Sequence, residues 1–142
     1  MNNIEINKVL RNVRLYGGCF SCDMIPKPKR FPIAYVVNTD NSQKPGQHWI
    51  VILIDKYRKC EYFDSLGNEI FVPEIYSFIN SNTKGISQQS HVQLQHNSSV
   101  ACGVYCIKFI IARSKRVSFE EFINYFSSVG CRIENEFKLL LL

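Results

Sequence analysis

Three residues of reactive type stand where predicted secondary-structure elements begin or end. His48 opens an apolar run that is predicted to be a strand, Asp64 closes the next predicted strand, and Cys102 precedes a predicted helix. A carboxylate beside an imidazole fixes its tautomer and stabilises its charged form. That imidazole can then serve a cysteine thiol as base or ion-pair partner. The residue types therefore indicate nucleophilic catalysis by a thiol.

The surroundings of Cys102 favour a reactive thiolate. At a helix N-terminus, free N–H groups and the positive end of the helix dipole stabilise negative charge, and a neighbouring imidazolium lowers the thiol pKa further. The following Gly103 supplies another backbone N–H and allows close approach of a substrate. Gln95 offers an amide donor seven residues earlier. Because an amide with backbone N–H groups is a recurrent oxyanion hole, we assign Gln95 and Gly103 to one.

A hairpin is predicted to bring His48 and Asp64 together. Residues 33–38, 48–54 and 60–64 have the β-branched and aromatic composition of strands, and a polar turn separates the last two. If this turn is centred on Tyr57, residue 48 falls opposite residue 66. The side chains at 48 and 64 can then meet at one edge of an antiparallel meander.

Helical segments are predicted on both sides of these strands. Apolar spacing predicts a short helix within residues 1–15, which the glycine-containing segment 16–19 ends. Another helix is predicted at 73–80. The apolar segment 101–113 is typical of a buried helix.

The remaining predicted elements complete an α+β fold. Ser118 and Glu121 form a capping box before a further helix, and the apolar residues from Ile133 to Leu141 predict a final one. Residues 23–32 are predicted to be an extended basic loop, 81–90 a polar loop, and 91–95 the last strand. The order favours a central, mostly antiparallel sheet with helices packed around it.

Length and composition are those of one globular domain, which we place over residues 1–142. The chain is 46% hydrophobic and 20% charged, which excludes a disordered, collagen-like or coiled-coil protein. The best apolar run, 100–112, contains Lys108 and is shorter than the about 20 residues of a membrane span. No secretory signal is expected from the first residues. The net charge of +5 permits an anionic partner.

Six cysteines are present, and we expect free thiols because no secretory signal is expected. Cys60 and Cys106 are predicted to lie in the core. Cys19 and Cys22 have the spacing of half a zinc site, but a second ligand pair at ordinary spacing is missing, so no metal site is predicted. The six are Cys19, Cys22, Cys60, Cys102, Cys106 and Cys131.

Three ordered motifs carry a family resemblance. They are Gly46-x-His48-Trp49, Phe63-Asp64-x-x-Gly67 and Gln95-x6-Cys102-Gly103. In this order and spacing, they resemble the adenovirus-type (adenain-like) cysteine proteases, which are more distantly related to SUMO-deconjugating proteases. The resemblance extends over roughly residues 17–113.

The resemblance implies a papain-like fold and a role for each motif residue. Cys102 is then the nucleophile, His48 the base and acid, Asp64 the third member of the triad, and Gln95 the oxyanion donor. Substrate contacts are predicted for the residues around them, namely Trp49, Gly46 and His96.

The function implied is that of a cysteine endopeptidase that cleaves capsid precursor proteins during maturation of a virus or virus-like element. We expect a monomer, without membrane association, in the virion and in the nucleus or cytoplasmic virus factory of the infected cell. One alternative is a deconjugating isopeptidase that acts on ubiquitin-like or SUMO-like tails. Another is an interaction module without catalytic activity, against which the complete set of reactive residues argues.

The chemistry requires no cofactor, but the resemblance implies DNA or a peptide as possible activators. The net charge and the basic residues of 27–30 are compatible with DNA. Adenovirus enzymes bind their activator peptide through a disulfide to a cysteine upstream of the glutamine. Since residues 81–94 contain no cysteine, we expect no such disulfide here.

Overall fold

A computed structural model describes residues 1–44, 46, 48–96 and 101–127. Four helices and five strands occupy this part of the chain. In chain order they are α1 (Asn3–Leu10), β1 (Tyr16–Ser21), β2 (Ile33–Asn38), β3 (Trp49–Ile54), β4 (Cys60–Phe63), α2 (Pro73–Asn82), β5 (Ile86–Gln89), α3 (Cys102–Ser114) and α4 (Phe119–Ser127).

The five strands form one sheet in the order β1-β2-β3-β4-β5. The central strands β2, β3 and β4 make the predicted antiparallel meander, while the outer pairings of β1 with β2 and of β4 with β5 are parallel. The predicted α+β fold is confirmed. The proline-containing basic segment 23–32 is an extended loop, as expected, and returns the chain from β1 to β2.

Two strands lie where the sequence analysis placed none. β1 occupies the segment predicted only to end the first helix. An added Cβ at Gly17 would lie 2.5 Å from the Ile33 side chain, so this glycine of β1 allows close packing against β2. β5 lies in the predicted polar loop 81–90; as a short, largely exposed edge strand it lacks an apolar pattern.

The prediction of a strand at 91–95 is wrong. The backbone N–H groups of Leu94 and Gln95 donate to a single acceptor, the carbonyl of Ser65, instead of forming a ladder. Elsewhere the bounds differ by one to a few residues. α1 ends before Val13, and α2 continues to Asn82. The predicted final helix lies outside the described residues.

Apolar residues pack on both faces of the sheet. On one face, Val51, Leu53 and Phe63 contact α1, α3 and α4. On the other, the alternate residues of β3 and β4 contact α2. The predicted capping box of α4 is confirmed, because Ser118 and Glu121 each receive a backbone N–H from the other.

Helix α3 is joined to β4 by an aromatic stack and an ion pair. The Phe109 ring stacks on Phe63 at a centroid distance of 4.5 Å and meets the edges of two α4 rings. Arg113 donates two hydrogen bonds to the Glu61 carboxylate, at 2.8 and 2.6 Å. These contacts fix the helix that carries Cys102 against the strand that leads to Asp64.

Replacing Phe109 by alanine should test this attachment. We expect Phe109→Ala to lower the free energy of unfolding by about 3–5 kcal/mol, the usual loss for a buried phenylalanine. The exposed aromatic substitution Tyr57→Ala serves as control and should change it by less than about 0.5 kcal/mol. Chemical denaturation followed by circular dichroism measures both. Equal unfolding midpoints for the two variants would contradict the packing described.

Candidate active site

The β3–β4 register brings His48 to Asp64. Val51 lies opposite Phe63 and Ile54 opposite Cys60. Continued by three residues, this alignment places residue 48 opposite 66, as the hairpin predicted. His48 Nε2 lies 2.7 Å from Asp64 Oδ1. The backbone carbonyl of His48 also accepts a hydrogen bond from the N–H of Thr39, which ties the start of β3 to the end of β2.

Asp64 is completely buried and held by its own turn. Its Oδ1 accepts the N–H of Leu66 as well as the imidazole, and its carbonyl accepts the N–H of Gly67. Ser90 receives the Asp64 N–H and donates its hydroxyl to the Asp64 carbonyl. Rotation of the carboxylate away from His48 would break both hydrogen bonds at Oδ1, while the backbone bonds hold the residue itself in place.

Cys102 is the first residue of α3, and its N-cap, Ala101, has no polar side chain to cap the helix. The thiol forms a hydrogen bond with His48 and receives backbone N–H groups from Trp49 and Gly103. Because His48 Nε2 lies on Asp64, the Nδ1 edge of the ring is the one left for the thiol. The three predicted triad residues thus form one chain, from Asp64 through His48 to Cys102.

Opposite pKa shifts in this chain favour a thiolate–imidazolium pair. Burial alone would raise the pKa of the Cys102 thiol, but the hydrogen bond and charge of His48, with the two N–H groups, hold that pKa below its usual value. Burial alone would lower the pKa of His48, but hydrogen bonds and charges of Asp64 and Cys102 raise it to about 9. At a pH between the pKa of Cys102 and that of His48, Cys102 is a nucleophilic thiolate and His48 is an imidazolium that can donate a proton.

Of the two predicted oxyanion-hole residues, one lines the cavity of Cys102 and the other follows Cys102 in the chain. Gln95 is buried and lines the same cavity as Cys102. Gly103 follows Cys102 in the first turn of α3, where backbone N–H groups have no partner within the helix. An oxyanion hole requires an amide and backbone donors of this kind, and the assignment of Gln95 and Gly103 to one stays a prediction.

Gly67 explains the glycine of the Phe63-Asp64-x-x-Gly67 motif. Its φ is +72°, a conformation that side chains disfavour, and an added Cβ would lie 2.7 Å from the backbone carbon of Val92. The turn after Asp64 therefore packs directly on the segment that leads to Gln95.

The cavity in front of Cys102 has a volume of about 780 Å³. Gly46 and Trp49 line it, and the carboxamide of Asn38 lies 2.9 Å from the place of a Cβ on Gly46. His96 follows Gln95 and is half-buried, but it is not one of the residues that line this cavity in the described part of the chain. Substrate contacts of Trp49, Gly46 and His96 stay predictions.

The N-terminal residue also lies in this cavity, which the sequence did not indicate. The indole N–H of Trp49 donates to the Met1 carbonyl at 3.1 Å. The Met1 side chain lies 3.2 Å from the place of a Cβ on Gly103. The absence of a side chain on Gly103 therefore leaves room for Met1 next to the nucleophile.

The other cysteines differ from Cys102 in their surroundings. Cys60 and Cys106 are completely buried, as predicted, and burial raises the pKa of both thiols. Cys19 and Cys22 are free buried thiols as well, whereas Cys131 lies outside the described residues. In the described ranges, no group of three or more His, Cys, Asp or Glu side chains is arranged to hold a metal ion. Within the same ranges, no helix is long and apolar enough to cross a membrane.

Comparisons with known proteins point to viral cysteine proteases. The chain is 33% identical over 99 residues to the cysteine protease of African swine fever virus, isolate Tick/Malawi, which covers 63% of this chain and 36% of the relative. It is 32% identical over 99 residues, with the same coverage, to a protein named SUMO-1 cysteine protease in the Warthog/Namibia isolate. No protein-family model matches the chain.

A solved structure shows the same fold. The crystal structure of the African swine fever virus protease aligns with 87% of this chain and 61% of its own, with a TM-score of 0.53 and 19% identity. The chain spans about a third of the length of the curated relatives it matches. The predicted enzyme class, cysteine protease, is the class of these relatives.

The charge state of the site predicts how Cys102 reacts with pH. Only the thiolate is alkylated, so the rate constant for iodoacetamide should fall as pH drops through the lowered thiol pKa. It should change again near pH 9, where His48 loses its proton. His48→Ala removes the partner, and alkylation at pH 6 should slow by about tenfold or more.

His91→Ala, which alters an exposed histidine, is the matched control and should leave this profile unchanged. Peptide mapping of the labelled protein assigns the reaction to Cys102. A His48→Ala profile that superimposes on that of the native sequence would refute the ion pair.

Two glycine substitutions distinguish the effect of backbone strain from the effect of displacing Gln95. Gly67→Ala should lower the free energy of unfolding by at least about 1–2 kcal/mol and also weaken catalysis, because the new methyl group collides with the backbone of Val92. Gly85→Ala has at least as much backbone strain, at φ +106°, but the added methyl group meets no atom within 4 Å. It should therefore affect urea unfolding only, and equal losses of peptide-cleaving activity in both variants would contradict this explanation.

Proposed function

We propose that this chain is a cysteine endopeptidase with Cys102 as nucleophile, His48 as acid and base, and Asp64 as the residue that orients His48. The observation that carries the proposal is the continuous hydrogen-bonded chain of these side chains at the N-terminus of α3, with the thiol pKa lowered and the imidazole pKa raised. A buried structural cysteine has the opposite shift, as Cys106 does.

The proposed reaction has two steps. The Cys102 thiolate bonds to the carbonyl carbon of a peptide, and Gln95 with backbone N–H groups stabilises the oxyanion. The C–N bond then breaks as the imidazolium of His48 gives its proton to the leaving amine, which leaves a thioester. Water, deprotonated by His48, then attacks the thioester, the C–S bond breaks, the carboxylic acid product leaves, and the thiolate–imidazolium pair is restored.

For the substrate, we propose viral structural precursors that are cleaved during virion maturation, with small residues such as glycine at the scissile bond. The viral source of the similar proteases supports this substrate class. We also propose that the enzyme is a monomer with a single domain and acts in the virion and the infected cell. We propose DNA or a peptide as activator. The net charge of +5 supports DNA.

The second candidate is an isopeptidase that releases ubiquitin-like or SUMO-like proteins. The name SUMO-1 cysteine protease, given to one of the similar proteins, favours it. The proposed triad and oxyanion hole are equally suited to an amide bond of a lysine side chain. The two functions therefore differ in which protein tail the cavity accepts.

Mass spectrometry of cleavage products distinguishes these functions. Capsid-precursor peptides and a SUMO precursor with its C-terminal extension are incubated with the native sequence and with Cys102→Ala, each with and without duplex DNA. Cleavage of the capsid peptides by the native sequence alone supports the first proposal, and cleavage of only the SUMO precursor supports the second. Equal products with Cys102→Ala would overturn both, and no cleavage of any substrate would favour the interaction module.

A further inference from the structure

Ser65 makes a buried hydrogen bond to the proposed oxyanion donor. It is the residue after Asp64 and is completely buried, and its hydroxyl donates to Gln95 Oε1 at 2.6 Å. Gln95 is 3% exposed, so water competes little for this bond. The contact joins the end of the triad strand to the oxyanion side of the cavity.

The backbone of Ser65 holds the same segment. Its carbonyl accepts the N–H of Leu94 at 2.8 Å and the N–H of Gln95 at 2.9 Å. One residue therefore holds the main chain at Leu94 and at Gln95, and also holds the end of the Gln95 side chain. This arrangement explains why residues 94 and 95 leave the sheet instead of extending it.

The side-chain contact selects one orientation of the carboxamide. A glutamine amide has an acceptor end, Oε1, and a donor end, Nε2. The Ser65 hydroxyl holds Oε1, so Nε2 is the opposite end of the carboxamide in a residue that lines the cavity with Cys102. The opposite orientation would present a carbonyl oxygen to a developing oxyanion and repel it.

We infer that Ser65 is a positioning residue that orients the Gln95 carboxamide so that Nε2 donates to the oxyanion. The inference rests on the proposed function for the role of Gln95, although the orientation itself does not depend on catalysis. Since Ser65 directly follows Asp64, one turn sets both the carboxylate of the triad and the donor of the oxyanion hole.

A double-mutant cycle tests the kinetic consequence. Ser65→Ala should lower kcat about 10- to 100-fold and weaken the binding of a peptide aldehyde ending in Gly-Gly by a similar factor. The effect is smaller than the 10²- to 10³-fold loss of kcat that follows removal of a whole oxyanion donor. In a Gln95→Ala background, the same change should have an effect of less than about threefold. An equal loss in both backgrounds would overturn the inference.

Two controls exclude a general effect of a lost buried hydrogen bond. Alkylation of Cys102 by iodoacetamide does not form an oxyanion, so Ser65→Ala should leave its rate within about twofold. Tyr105→Phe removes a buried hydroxyl that donates to the Leu94 carbonyl at 3.2 Å. It should lower Tm comparably to Ser65→Ala but leave the aldehyde affinity within about threefold. Equal weakening of the aldehyde in both variants would reduce Ser65 to a structural role.

A spectroscopic measurement tests the orientation without catalysis. The side-chain amide signals of Gln95, assigned in a ¹⁵N–¹H spectrum by their loss in Gln95→Glu, should shift or broaden in Ser65→Ala and stay in place in Tyr105→Phe. Unchanged signals in Ser65→Ala would overturn the inference. If the native sequence cleaves no peptide and binds no aldehyde while these signals respond, the proposed function fails and the orientation stands.

Discussion

The register between β3 and β4 is the constraint on which the rest of the site depends. Side chains alternate between the two faces of a sheet, so a slip of one residue would move His48 away from Asp64. The hairpin turn resists such a slip, because Asp55 Oδ1 accepts the N–H groups of both Tyr57 and Lys59. Apolar packing on both faces of β3 opposes it as well, since the slip would exchange the residues that face each core.

A buried carboxylate is stable here only because its surroundings compensate for lost hydration. An isolated buried charge is strongly destabilising unless it is paired and hydrogen-bonded. Asp64 receives hydrogen bonds from an imidazole and from its own turn. The arrangement stabilises a positive charge on His48, and that charge in turn stabilises the thiolate of Cys102. Asp64 thus stabilises the thiolate of Cys102 indirectly, through the charge on His48.

Helix α3 carries Cys102, the residue at the other end of the Asp64–His48–Cys102 chain of hydrogen bonds. Phe109 and Arg113 attach helix α3 to β4, the strand that leads to Asp64. Packing between strand and helix therefore helps to set the position of Cys102 relative to Asp64. Ser65, the residue after Asp64, connects the same strand to Gln95 through its hydrogen bonds.

The sequence allowed the meander, the buried helix and the triad to be predicted, because each has a local pattern. The β-branched runs and the polar turn determine which residues of β3 and β4 oppose each other. Cys102 was predicted from its place at a helix start. By contrast, β1 and β5 have no such pattern: β1 depends on glycines that allow close packing, and β5 is a polar edge strand.

The contacts around Gln95 were not predictable for a related reason. Residues 91–95 have an alternation typical of a strand, but the N–H groups of Leu94 and Gln95 donate to the carbonyl of Ser65, which is distant in sequence. The position of Met1 beside Trp49 also depends on the folded chain, since no motif connects the two residues. Long-range hydrogen bonds of this kind become visible only in three dimensions.

The protonation state of His48 tests the account most directly. The chain contains three histidines, so ¹⁵N spectra of the imidazole rings recorded between pH 5 and 10 can be assigned with single substitutions. The account predicts that His48 is an imidazolium at pH 7, with both ring nitrogens protonated, and titrates near pH 9. A neutral His48 at pH 7 with an ordinary midpoint of about 6.5 would contradict the ion pair with Cys102 and with it the proposed mechanism.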